Sequence, residues 1–369
     1  MKNYFLLILL VGITVPSKAQ EGSAFKGFER LFVQPKHYEI NYTSIPPVID
    51  GGIDDKVWEV AAWTEEFRDI EGELSSRPVP YYRTWAKMLW DDDYLYVAAK
   101  LEDKHVWAYL TEHDQVVYHD NDFEVFIDPR NSGHQYYEYE INALNTIFDL
   151  YLTKPYRNSG SALVDWDSKG LKHAIRVKGT LNDPSDQDEG WTVEMAIPFR
   201  DIGGKPSGGD FWRLGFSRVE WDTEIIDNKY VKQTNEKGNP LPENNWVWSP
   251  QGEINMHMPE RWAYIQFSKA ETSAKLPEFE LPYSERQRQY LWLVYYKQQE
   301  YRKKNERFAT SLKKLGISTK VKIDGKSNTL KLKATCTQFT VSISDSPQTT
   351  ILINEDGLVK IEEMELNKK

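Results

Sequence analysis

Cysteine is almost absent from this 369-residue chain, with Cys336 standing alone. One thiol excludes an internal disulfide, a paired-cysteine redox or zinc motif and an iron–sulfur cluster. No CxxCH occurs, which excludes covalent c-type haem. Positive charge is in deficit: 46 Lys and Arg face 56 Asp and Glu, for a net charge of −10. A surface built for nucleic-acid phosphates needs the opposite balance. Long hydrophobic runs are missing beyond the first residues, and no stretch reaches the ~20 apolar residues that cross a bilayer. HExxH, GxSxG and phosphate-loop motifs are absent as well. The seven histidines are scattered along the chain.

The composition that remains is that of a folded chain, 40% apolar and 28% charged. Aromatic residues are plentiful at 13%, with 13 Trp and 21 Tyr. Such rings fill cores or stack on flat ligands. At the N-terminus, Lys2 precedes an apolar run over 5–15, and Ser17 and Ala19 place small residues before Gln20. This pattern predicts a secretory leader over 1–19 and hence export, to the periplasm or the medium.

Short alternating runs separated by turn residues dominate 42–269. The runs 82–90 and 94–102 flank Asp91-Asp92-Asp93 as a hairpin, and further strands are expected at 123–128, 137–141, 146–153, 174–180, 191–198, 211–221 and 262–267. The fold class expected is mainly β, an antiparallel sandwich of jelly-roll or immunoglobulin-like form. One short helix is expected to start at Asp54 or Asp55 and to turn Val57, Trp58 and Ala61 inward. The pattern changes at Pro282. Ser284 with Gln287 reads as a capping box and Gly316 as a stop, predicting a helix of ~30 residues with one basic face. Alternating runs after Gly316 predict small strands that form, with the helix, a separate helix-plus-sheet appendage. The organisation expected is therefore a leader (1–19), an N-terminal extension (20–41), the sandwich (42–269), a linker with the long helix (270–316), and the appendage (317–369).

Five segments occur in a distinctive order: Pro47-Val48-Ile49-Asp50-Gly51-Gly52-Ile53-Asp54-Asp55-Lys56-Val57-Trp58, then Met88-Leu89-Trp90-Asp91-Asp92-Asp93-Tyr94-Leu95-Tyr96-Val97, then Asp120-Asn121-Asp122-Phe123-Glu124-Val125-Phe126-Ile127-Asp128, then Trp191-Thr192-Val193-Glu194-Met195-Ala196-Ile197-Pro198, and finally Trp248-Ser249-Pro250 with Pro259-Glu260-Arg261-Trp262-Ala263. In this order they resemble family 9 carbohydrate-binding modules over 45–267. The resemblance implies a β-sandwich that binds the ends of sugar chains without catalysis, supports polysaccharide breakdown, and often carries structural calcium.

Alternation adds a physical reading. If Phe123, Val125, Ile127, Tyr139 and Ile141 face the core, then Glu124, Glu140 and Asn142 share the opposite, open face. Carboxylates and amides there can pair with sugar hydroxyls while rings cover the apolar sugar face. The resemblance places ligand contacts at Glu124, Glu140 and Asn142, with stacking at Tyr118 and Met256. The best-known members carry a basic residue where Glu140 stands and two tryptophans where Tyr118 and Met256 stand. Trp107, Trp246 or Trp248 could supply a ring from nearby loops. Asp120 and Asp122 are candidate calcium ligands, being hard oxygen donors. Two further functions remain open. Glu124 and Glu140 could serve as the carboxylate pair of an O-glycosyl hydrolase. Met256-His257-Met258 could ligate haem non-covalently in an electron-transfer sandwich. The basic helix face offers a surface for a protein partner.

Overall fold

The computed structural model describes residues 23–363, except Leu74, Pro78 and 272–278. The leader expected at 1–19 lies outside the described residues. Among these residues, thirteen strands join into one sheet that folds over on itself as a sandwich. One half runs in the order Ile147–Leu152, Tyr136–Asn142, Asp122–Asp128, Phe211–Glu220, Ala263–Glu271. The other runs Thr84–Trp90, Tyr94–Glu102, Gly190–Pro198, Lys172–Lys178. Pairing within each half is antiparallel, as the hairpin pattern predicts. The strand His37–Tyr42 is the seam. It pairs in parallel with Ala263–Glu271, the register shifting between Ile40 and Tyr42, and through Asn41 and Tyr42 it pairs in parallel with Thr84–Trp90 on its other side. The sandwich therefore begins earlier than the boundary expected at 42.

The inward residues are those the alternation selects. Phe123, Val125, Ile127, Tyr139 and Ile141 meet Ala86, Met88, Val97, Val193 and Met195 in one core. The Asp50-Gly51-Gly52 strap closes the second half from outside. Glu194 accepts from the backbone N–H groups of Asp50 and Gly51, and from Trp58 Nε1 at 2.7 Å. Gly51 has φ +86°, and a Cβ there would lie 2.5 Å from the Ile175 backbone. Only glycine fits so close an approach. The expected short helix is a 3-10 turn, Lys56–Val60, with Trp58 and Ala61 buried behind it. Asp55 does not cap it with its side chain; its Oδ2 accepts from Val48 N–H instead.

The C-terminal helix is shorter than its sequence pattern. It spans Tyr283–Asn305 and ends where Glu306 turns left-handed at φ 58°. Gly316 terminates a separate 3-10 turn, Leu312–Leu315. Ser284 makes no capping box: the residue before the helix is Pro282, and Gln287 donates to Asn328 Oδ1 at 2.7 Å. The apolar stripe packs on a five-stranded sheet formed by Lys320–Ile323, Lys326–Ala334, Phe339–Ser344, Thr349–Asn354 and Val359–Glu363. Phe25, Phe28 and Leu31 join this second core. The appendage is consequently not separate from the rest of the chain. Buried Glu285 accepts from Tyr264 Oη at 3.1 Å and pairs with Arg213 at 3.4 Å, and Glu260 accepts from Tyr296 Oη at 2.5 Å. Of the basic residues, Arg302, Lys303, Lys304, Arg307, Lys313 and Lys314 are exposed. No helix among the described residues is long and apolar enough to cross a membrane.

Candidate functional site

The outer face of the first half is where the sequence places its candidate residues. Strand register sets Glu124 directly opposite both Glu140 and Ser217, Asp122 opposite Asn142, and Phe126 opposite Glu138 and Gly215. Period-2 geometry thus gathers Asp122, Glu124, Glu138 and Glu140 on one side of three adjacent strands. The face is not open, as expected from alternation alone. Glu124, Glu138, Glu140 and Asp122 are 4% exposed or less. Val117, Phe126, Tyr136, Phe148, Leu150, Leu152 and Trp262 form a second apolar cluster there, with Met256 against it. Trp262 can lie on this face because Gly215 has no side chain. A Cβ at Gly215 would stand 2.9 Å from Trp262 Cδ1.

Tyr118 is held at the edge from both sides. Its N–H donates to Glu140 Oε2 at 2.8 Å, and its carbonyl accepts from Trp221 Nε1 at 2.8 Å. The ring is left exposed. Tyr156 is a second exposed ring that the sequence reading missed. Its only local signal is an aromatic following Pro155 in a loop. Its phenol is raised to about 12, first by partial burial and then by the charges of Glu138, Glu140 and Tyr118. Tyr118 is likewise raised by burial and by Glu140, Glu243 and Glu124. Both phenols therefore feel the charge of Glu140, and Tyr156 packs on His257, which meets Phe126 of the outer face. Glu138 was also missed, although its parity matches that of Glu140.

Electrostatically the carboxylates of this face are under-compensated. Burial pushes Glu124 up to about 7, and burial with mutual repulsion holds Asp122, Glu138 and Glu140 well above the carboxylate range. Asp122 Oδ2, Glu124 Oε2 and Glu138 Oε2 are buried without a hydrogen-bond partner.

The remaining candidates have structural work at their positions. Asn142 uses its whole amide: Nδ2 donates to Leu110 O and Asp120 Oδ2, and Oδ1 accepts from Leu144 and Thr146 N–H. Asp120 Oδ2 also accepts from Tyr109 and Leu110 N–H, so that oxygen is filled by the loop. Trp248 is 1% exposed in the sandwich core, its Nε1 donating to Glu65, and does not join the outer face. Trp246 shares that core, and Trp107 is buried with Val219, Trp221 and Tyr230. Met256 lies half-buried, its carbonyl accepting from Trp262 Nε1.

The geometry bears on the two catalytic or cofactor readings. Glu124 and Glu140 are direct cross-strand neighbours whose oxygens approach within 4.8 Å, and both are sealed from solvent. A glycosidase pair must flank a sugar bond from opposite sides, and no such gap exists between these two. Met258 is packed in the C-terminal core, and half-buried His257 bonds Tyr136 Oη through Nδ1 at 3.0 Å. That trio is occupied in packing.

Comparison with known proteins agrees with the order of the motifs. A family model described as carbohydrate family 9 binding domain-like matches residues 49–248. The exoglucanase XynX of Acetivibrio thermocellus is 31% identical over 157 residues, 42% of this chain and 12% of that enzyme. The endo-1,4-beta-xylanase A of Thermoanaerobacterium saccharolyticum is 29% identical over 170 residues, 46% of this chain and 12% of that enzyme. Only a small share of either curated relative is thus matched. A family 9 carbohydrate-binding module from Caldicellulosiruptor kristjanssonii, solved with cellotriose and with glucose, aligns at TM-score 0.42 in both structures. Identities are 18% and 17%, with 66% and 65% of this chain covered and all of that module. The family match alone spans more than half of the sequence, and this chain belongs to the carbohydrate family 9 binding domain-like family.

Proposed function

We propose that the sandwich binds glycan without catalysis, at the edge marked by Tyr118 and Tyr156. The observation that carries this reading is the pair of exposed rings, Tyr118 and Tyr156, at the edge of the outer sheet face of a family 9-type domain. Exposed tyrosines can cover the apolar face of a pyranose while polar groups at their edges meet its hydroxyls. The relatives named as an exoglucanase and a xylanase, and the module solved with cellotriose, direct the choice of probes to β-1,4-linked glucose and xylose oligomers. Export to the periplasm or the medium belongs to the same proposal, supported by the leader-like residues 1–19.

The test is a titration of the full chain after leader removal with cello- and xylo-oligosaccharides, beside Tyr118→Ala and Tyr156→Ala. Saturable binding weakened tenfold or more in both variants is expected. A folded wild type that binds none of these sugars, nor any glycan on an array, overturns the proposal.

A further inference from the structure

The loop that presents Tyr156 is fastened by a part of the chain outside the matched family domain. Its backbone turns tightly: Asn158 and Gly160 N–H donate to the Pro155 carbonyl at 3.0 and 3.2 Å, and Ser159 is left-handed at φ 60°. Lys154 Nζ pairs with Asp356 Oδ2 at 2.9 Å. Asn158 Nδ2 donates to the Asp356 carbonyl at 2.5 Å, and its Oδ1 accepts from Tyr295 Oη at 2.8 Å. Arg157 pairs with buried Glu260 at 2.8 Å, and its guanidinium lies 5.8 and 5.7 Å from the ring centres of Trp292 and Tyr295. Glu260 in turn accepts from Tyr296 Oη. Trp292, Tyr295 and Tyr296 belong to the helix Tyr283–Asn305, and Asp356 to the turn between Thr349–Asn354 and Val359–Glu363. All these partners lie beyond residue 248, where the family match ends. Within 154–158, Tyr156 alone is exposed.

We propose that the C-terminal helix-plus-sheet unit positions the Tyr156 ring for the glycan, a role that rests on the glycan reading of Tyr156. The binding site is then completed by residues outside the family domain. Arg157, Asn158, Tyr295 and Asp356 are positioning residues that act through Tyr156. A ring on a free loop loses conformational freedom when it closes on a ligand, and that loss weakens binding. A loop whose flanking side chains are already bonded to a packed helix and turn presents its ring in order beforehand. Tyr118 has a separate support, since its turn is fixed inside the sandwich by Glu140 at the N–H and Trp221 at the carbonyl. The two rings thus have independent anchors. Loosening the C-terminal contacts acts on the Tyr156 side alone, whereas a purely structural interface is indifferent to which residue stands at 156.

The experiment uses the full chain after leader removal. Asn158→Ala is titrated with cello- and xylo-oligosaccharides alone and in the Tyr156→Ala and Tyr118→Ala backgrounds. Asn158→Ala by itself is expected to lower affinity at least fivefold. The same change should cost almost nothing further once Tyr156 is Ala, and the full fivefold once Tyr118 is Ala. Amide hydrogen exchange without sugar should show faster exchange over 153–161 in Asn158→Ala. Tyr295→Phe, which removes one hydroxyl, serves should Asn158→Ala fail to fold. Unchanged affinity in a folded variant overturns the proposal, as does an equal loss in both backgrounds or unchanged exchange over 153–161. In each of those cases the wild type still binds sugar and the glycan reading stands. A wild type that binds none of the sugars overturns both together.

Discussion

The backbone N–H of Tyr118 donates to Oε2 of Glu140 at 2.8 Å, so a carboxylate in the sheet face fixes the turn that presents an exposed ring. A hydrogen bond of this kind contributes about 0.5–1.5 kcal/mol net, and leaving its buried partner unsatisfied costs about 1–3 kcal/mol. Glu140→Ala frees that turn and is expected to weaken oligosaccharide binding about tenfold or more. Glu140→Gln keeps an acceptor and should retain most of the affinity. Parallel calorimetric titrations distinguish the two; equal losses would mean that the charge, not the hydrogen bond, matters.

Gly215 admits Trp262 to the outer face. Gly215→Val places side-chain atoms where the indole lies, 2.9 Å from the first added carbon. The displaced ring loses its contact with Phe126, whose centroid is 5.3 Å away. Overpacking of this kind costs about 1–3 kcal/mol. Urea unfolding should show that loss, together with a red-shifted tryptophan emission.

Arg218 joins the two halves of the sandwich. Its guanidinium is fully buried, lies 2.7 Å from Glu220 and 3.3 Å from Asp103, and donates to the Glu102 carbonyl at 2.7 Å. Burial raises Glu220 to about 8 even beside this cation. Arg218→Met leaves two buried carboxyls without their cation and should cost about 3–5 kcal/mol. The loss is read from the denaturant midpoint. A triple variant that also carries Glu220→Leu and Asp103→Asn should recover part of it.

His257 sets a pH dependence. Burial lowers its pKa from 6.5 to about 4, with Arg157 adding to the effect. The unfolded chain therefore binds the proton more readily between those values. The stability that the neutral ring contributes is present above about pH 6.5 and is lost as pH falls toward 4. His257→Gln removes this titration. The difference in urea midpoint between wild type and variant should shrink from pH 7.5 to pH 4.5; a constant difference would contradict the assignment.

Much of the fold was legible because its signals are local. Alternation through Phe123, Val125 and Ile127 named the core side of a central strand, and Asp91-Asp92-Asp93 marked the hairpin between Thr84–Trp90 and Tyr94–Glu102 in the other half. The 47–58 motif was recognisable as text, but its reason is tertiary: Glu194, far along the chain, receives Asp50, Gly51 and Trp58 together. Helix length was misread because apolar residues continue past Asn305. Phe308, Leu312 and Leu315 remain in the same core although the backbone has left the helix.

The sequence by itself determined which side chains share a sheet face, because a strand has period two and register preserves it. Glu124 and Glu140 were thereby paired before any coordinates. It did not determine whether that face meets water. Trp262, brought in by a distant segment, and Val117 from the turn just before the strand cover it, and Tyr156 reaches its edge from another loop. Asn142 shows the same division. Its parity was readable, but only the fold revealed an amide fully used by Leu110, Asp120, Leu144 and Thr146. Local periodicity fixes direction, whereas burial and hydrogen-bond saturation depend on what long-range packing places opposite.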